Sequence, residues 1–176
     1  MAVLKNLMLD IENVVYIYIA VRHSKDTKAT GWGAFILRGE NPMKKFYGGI
    51  PDADINCGYL TAVTEVMDAL DPSEIILYAE DSVYLCVNME EGRVKNWRKR
   101  GWRTSNNTPV KNKELWEKLL EEEEAHNVIE WIPNTGTDKH KDEAVALAQK
   151  GRKKVSTQKS SFMTEEPFDD SDPDDY

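Results

Sequence analysis

Residues Trp97 to Asn112 read WRKRGWRTSNNTPVKN, five Lys/Arg and two Trp in one short segment of an acidic chain. Guanidinium and ammonium groups beside aromatic faces suit a phosphate backbone. Acids are spread along the rest of the chain. Glu80 and Asp81 adjoin at the end of an apolar run, and Asp54 and Asp142 precede apolar stretches. Carboxylates are the ligands that hard divalent cations need. His23, His126 and His140 have no Cys or His at ligand spacing, so zinc is not expected. There is neither a P-loop nor a dinucleotide fingerprint, and no cofactor is expected.

The basic run, the PVKN that closes it and Leu115-Trp116 after it closely resemble the basic protrusion, or handle, of bacterial-type ribonuclease HI. The resemblance covers roughly Val14 to Gly151. Tyr16–Val21, Gly31–Leu37, Phe46–Gly49, Ile75–Ser82 and Glu130–Ile132 are similar to the five strands of that family. Gly58–Leu70 and Ala144–Gly151 are similar to its first and last helices. The resemblance implies an α/β ribonuclease H-like fold. Its mixed five-stranded sheet has the order 3-2-1-4-5, with helices on both faces. It also implies that Trp97, Arg98, Lys99, Arg100, Trp102, Arg103, Lys111 and Asn112 contact nucleic acid. Asn56 matches one of two residues that read the minor groove of an RNA/DNA hybrid, but its partner position is Ile55, and Asp54 stands where a Thr is expected. The turn after the first strand becomes His23–Thr30, and Arg93 stands where a stacking Trp is expected.

Hydrolysis in that family uses four carboxylates around two divalent metals. Matched residue by residue, those positions are Ala20, Tyr59, Asp81 and Val145, and the mobile His of the family falls on Thr135. One carboxylate of four remains, so no metal is expected at the inherited site. The expectation is therefore a protein without catalysis, a nucleic-acid-binding or regulatory module for hybrid, duplex or single strand. Two alternatives stay open. One is a protein-interaction or structural component. The other is an active metal-dependent ribonuclease whose rebuilt site uses Asp81, Asp142 and Asp54. Degenerate copies of this kind are common in viruses and phages, which leaves a viral origin open.

Composition sets the bounds. The 176 residues are 40% hydrophobic with a net charge of −8, enough for one domain with appendages. Alternation in VYIYIAV and GAFIL predicts strands, and LWEKLLEEEEA predicts a helix with Glu121–Glu124 on a solvated face. The two cysteines, Cys57 and Cys86, need not pair. No signal peptide or membrane-length apolar run is seen, and a reducing, cytoplasmic setting is expected. The organisation is read as an extension (1–13), a ribonuclease H-like domain (14–151) and a disordered tail (152–176), first basic and then acidic. Seven acids after Met163 supply most of the net charge, and Phe168 among them is a candidate anchor for a protein partner.

Overall fold

The computed structural model describes residues 12–133, 136 and 138–168. Its first strands are β1 (Val15–His23), β2 (Thr30–Arg38) and β3 (Asn41–Ile50), followed by helix α1 (Ile55–Asp68) and strand β4 (Glu74–Ala79). Helices α2 (Val83–Glu90), α3 (Arg93–Lys99) and α4 (Lys113–Ala125) come next. Strand β5 (Asn127–Ile132), helix α5 (Lys139–Gln158) and strand β6 (Phe162–Glu166) complete it. The sheet order is β5-β4-β1-β2-β3-β6. The meander β1-β2-β3-β6 is antiparallel, whereas β4 runs parallel to β1 and β5 parallel to β4.

The period-two pattern of β1 decides which layer each side chain enters. Val15, Ile17, Ile19 and Val21 join the main core, which includes Leu60, Val63 and Met67 of α1 and Trp116, Leu119 and Leu120 of α4. Tyr18 and Ala20 face the other way, into a smaller cluster with Phe35, Leu37, Ala144 and Ala148. Helix α5 covers that second face and lies very close to it. A Cβ at Gly31 would sit 2.0 Å from the Arg152 amide nitrogen, and one at Gly33 would sit 2.3 Å from the Ala144 carbonyl oxygen. The Gly-Trp-Gly of β2 therefore lets the backbone of α5 rest on the sheet, while Trp32 between the glycines fills the opposite core. Helix starts are capped locally. Asp54 accepts the Cys57 amide at 2.8 Å, and Asp138 accepts the His140 amide at 2.8 Å.

The expected fold and the order 3-2-1-4-5 are present, with one addition. The sheet has six strands, because β6 pairs antiparallel with β3 from Lys45↔Glu166 to Gly49↔Phe162. The tail expected to be disordered from Arg152 is corrected for its first part, since α5 runs on to Gln158 and β6 follows. Polar composition suggests disorder, but edge pairing satisfies the β6 backbone. Two side-chain contacts add to it: Lys150 bonds Glu166 at 2.8 Å, and the Lys154 ammonium lies 4.8 Å from the Phe162 ring centre. Residues 1–11 of the expected extension and the acids 169–176 lie outside the described residues. Both cysteines are free thiols. Among the described residues no helix is long and apolar enough to cross a membrane.

Candidate functional site

The positions matched to the family's metal ligands are spread over β1, α1, the end of β4 and α5. Ala20 is fully buried on the α5 face of β1, in the smaller apolar cluster, and Val145 packs against that same cluster. Tyr59 is 2% exposed, and its ring belongs to the main core. Its hydroxyl oxygen accepts the Asp81 amide at 3.2 Å. Burial raises its pKa, so the phenol stays protonated. Asp81 itself is exposed in the turn that follows β4.

Two residues away from Ala20, on the same face of β1, stands Arg22. Its guanidinium holds Glu80 through two parallel bonds, Nη1–Oε2 at 2.7 Å and Nη2–Oε1 at 3.0 Å. Only 11% of the Glu80 side chain is exposed, so the pair is shielded from water on the carboxylate side. The hydrogen bond that Arg22 donates to Glu80 raises the Arg22 pKa further, and the guanidinium remains charged. Such a fork is among the stronger charge-assisted arrangements. It takes both Glu80 oxygens.

A two-metal centre at the inherited positions is not supported by these groups. Ala20 and Val145 offer hydrocarbon, Tyr59 a protonated phenol, and Arg22 a fixed positive charge next to Asp81. The imagined replacement set is not assembled either. Asp54 caps α1, Asp142 is exposed in the first turn of α5, and among the described residues no three His, Cys, Asp or Glu groups gather as metal ligands. Thr135 lies outside the described residues.

The handle is formed by α3, a tight loop and the start of α4. Gly101, Trp102, Asn107 and Asn112 all take positive φ, which turns the chain sharply at each. Trp102 is 8% exposed, and its amide donates to the Trp97 carbonyl at 2.7 Å. Trp97 meets Trp116 edge to face, 5.7 Å between centres. The aromatics expected to contact nucleic acid thus pack inward and anchor the loop. Their exposed neighbours Arg98, Lys99, Arg100, Arg103 and Lys111 carry the positive charge outward.

Several handle cations are already paired. Arg98 meets Glu124 at 3.1 Å, Lys95 meets Glu123 at 3.2 Å and Arg93 meets Glu91 at 2.6 Å. Glu123 and Glu124, expected only as part of a solvated face, therefore neutralise part of the handle. Arg103 donates to the Asn107 carbonyl at 3.0 Å. Among the described residues Lys99, Arg100 and Lys111 have no ion-pair partner. Asn112 sits at the entrance to α4 with φ 61°, and the half-buried Asn56 stands in the first turn of α1. Phe168, read as a partner anchor, is half-buried against the chain's own smaller cluster, with the Lys45 ammonium 5.0 Å from its ring centre.

The profile of the RNase H family matches residues 12–153. A Ribonuclease H of Chelativorans sp. is 40% identical over 123 residues, 69% of this chain and 74% of that protein. A Ribonuclease H of Coxiella burnetii is 33% identical over 141 residues, 80% of this chain and 90% of that protein. Among solved structures, a type 1 RNase H with the type 2 active-site motif superposes with a TM-score of 0.66 at 16% identity, covering 88% of this chain and 78% of that one. A foamy viral protease-reverse transcriptase in complex with RNA/DNA hybrid gives 0.68 at 17%, over 82% of this chain and 21% of that one. At these identities the structures speak for the fold. The relatives correct the expectation that the chain is not an enzyme: proteins alike over most of its length are named Ribonuclease H. That expectation rested on single positions aligned to one motif set, and an activity can be carried by groups outside the set.

Proposed function

This chain belongs to the RNase H family, and we propose that it binds RNA/DNA hybrid or related duplexes through its handle. The carrying observation is the exposed trio Lys99, Arg100 and Lys111, without an ion-pair partner among the described residues, on a loop packed through Trp97, Trp102 and Trp116. Cations on a pre-formed loop meet phosphates without first paying for loop ordering. The likeness in fold to a foamy viral protease-reverse transcriptase in complex with RNA/DNA hybrid supports the same reading. A binding panel of hybrid, duplex and single strand over a range of salt tests it. Replacing the trio by Ala should weaken binding to many sequences alike and flatten the salt dependence, since each lost phosphate contact removes about 0.9 from the slope. Full-strength binding by the triple variant would refute it.

A second reading has its own support. The names of the relatives favour a ribonuclease, which here would use a rebuilt site with Asp81 at its centre, the matched carboxylate that is both present and exposed. The test is cleavage of labelled hybrid in Mg²⁺ or Mn²⁺ buffer by the wild type and Asp81→Asn. Cleavage lost in the variant supports the reading, and cleavage that survives it refutes Asp81 as the centre.

A further inference from the structure

A second basic surface lies outside the handle. The β1–β2 loop carries Lys25 and Lys28, and the last part of α5 carries Arg152 and Lys153, with Lys159 as its cap. These elements are far apart in sequence but fastened together. The Thr27 and Ser156 hydroxyls are 3.1 Å apart, and Ser156 in turn donates to the Arg152 carbonyl at 2.8 Å. Gly31, one residue into β2, lies directly under the Arg152 backbone. The other side of the loop is tied to the entrance of α1, where the Ala53 amide donates to the Lys28 carbonyl at 3.3 Å. Asn56 follows three residues later.

Lys25, Lys28, Lys153 and Lys159 are exposed and Arg152 is half-exposed. Among the described residues none of the five has a carboxylate within ion-pair distance. Their neighbours Lys150 and Lys154 are engaged instead with Glu166 and with the Tyr47 and Phe162 rings. The acids on the same segments are Asp26, Asp52 and Asp54, three against five cations. Cations near a helix C-terminus often serve the helix dipole. That does not account for this set, because the last turn of α5 holds no basic residue and two of the five come from a separate loop.

We propose that this surface is a second phosphate-binding track for double-stranded nucleic acid, extending the contact beyond the handle. It rests on the reading that the handle binds duplexes. Arg152 and Lys159 are two turns apart, about 10 Å along the helix, which matches about three successive phosphates of one strand. The tethered loop holds Lys25 and Lys28 beside that row, so the track is formed before binding.

The test uses the full chain with Lys25→Gln, Lys28→Gln, Lys153→Gln and Lys159→Gln combined, all exposed positions. Binding to a short and a long duplex is measured against salt. With two to four contacts removed, the salt slope on the long duplex should shrink by about 1.8 to 3.6. The affinity advantage of the long duplex over the short one should disappear. A double variant, Lys25→Glu with Lys153→Glu, should weaken long-duplex binding further than either single change and covers the case of a poorly folded quadruple variant. An unchanged slope and an unchanged length advantage overturn the second track, while the handle variants still report on the handle. Failure of the wild type to bind any duplex overturns both. Binding to anionic vesicles that depends on these lysines, with duplex binding untouched, overturns the nucleic-acid assignment.

Discussion

Neutralising two acids on α4 should strengthen nucleic-acid binding, and the size of the effect follows from the handle's ion pairs. Glu124 holds Arg98 at 3.1 Å and Glu123 holds Lys95 at 3.2 Å. Both cations are about half exposed, with side chains 47% and 55% accessible. Exposed pairs of this kind contribute about 0.2–1 kcal/mol each, so Glu123→Gln with Glu124→Gln should cost at most about 2 kcal/mol of stability. In return, two cations become available to phosphates. Each added contact steepens the dependence of log K on log salt by about 0.9, so the double variant should gain up to about 1.8 in slope. The gain in affinity should be largest at low salt and fade as exposed charges are screened. Fluorescence anisotropy with a labelled hybrid across a salt series reads both quantities, and thermal melting reads the stability. Equal or weaker binding at low salt, with the fold intact, would show that Arg98 and Lys95 do not reach the ligand and would refute the masking of the handle by Glu123 and Glu124.

Further outcomes follow from other parts of the molecule. His140 lies over Phe35, ring centres 5.3 Å apart, and burial lowers its pKa. The folded state thus binds the proton less readily than the unfolded chain. Its share of stability is present above the ordinary imidazole pKa of about 6.5 and is lost as pH falls through the lowered value; His140→Phe should flatten this part of the pH–melting curve, and an unchanged curve contradicts it. Burial pushes the Cys86 thiol up to about 12, while Cys57 is only half-buried. A thiol reagent on the native protein should therefore label Cys57 first and Cys86 only on unfolding, and equal rates would be inconsistent with the packing. Removing residues 169–176 deletes five Asp without touching β6. If the acids compete with phosphate for the basic surfaces at high local concentration, this truncation tightens binding at low salt, and no change at any salt refutes the competition. A cut after Phe162 is unsuitable because it removes most of β6 and its bonds to β3.

Much of the architecture was legible in the chain itself. Alternating apolar residues in VYIYIAV and GWGAFIL mark β1 and β2, because a half-buried strand sends successive side chains to opposite layers. The run WRKRGWRTSNNTPVKN marked the basic handle, and the structure adds the sharp turns at Gly101, Trp102, Asn107 and Asn112. The resemblance to the family's motifs matched its metal-binding positions to Ala20, Tyr59, Asp81 and Val145. Spacing alone did not show that Ala20 and Val145 share one apolar cluster, or that Tyr59 binds the Asp81 backbone.

The tertiary structure decided the pairings. Arg22 and Glu80 are 58 residues apart, and only the parallel placement of β4 beside β1 brings their charged groups together. Glu123 and Glu124 look like solvent-facing acids until α4 is seen packed beside α3, where they meet Lys95 and Arg98. The segment Phe162–Glu166 is too polar to be recognised as a strand by alternation. It becomes one because the open edge of β3 supplies backbone partners, and composition carries no record of an open edge. The two lysines of the β1–β2 loop and the cations of α5 likewise form one surface only after Thr27 and Ser156 meet. A sequence specifies local preference and which face is apolar. Which charges become neighbours depends on how distant elements pack, because electrostatic and hydrogen-bond energies are set by distances of a few ångströms that no local pattern encodes.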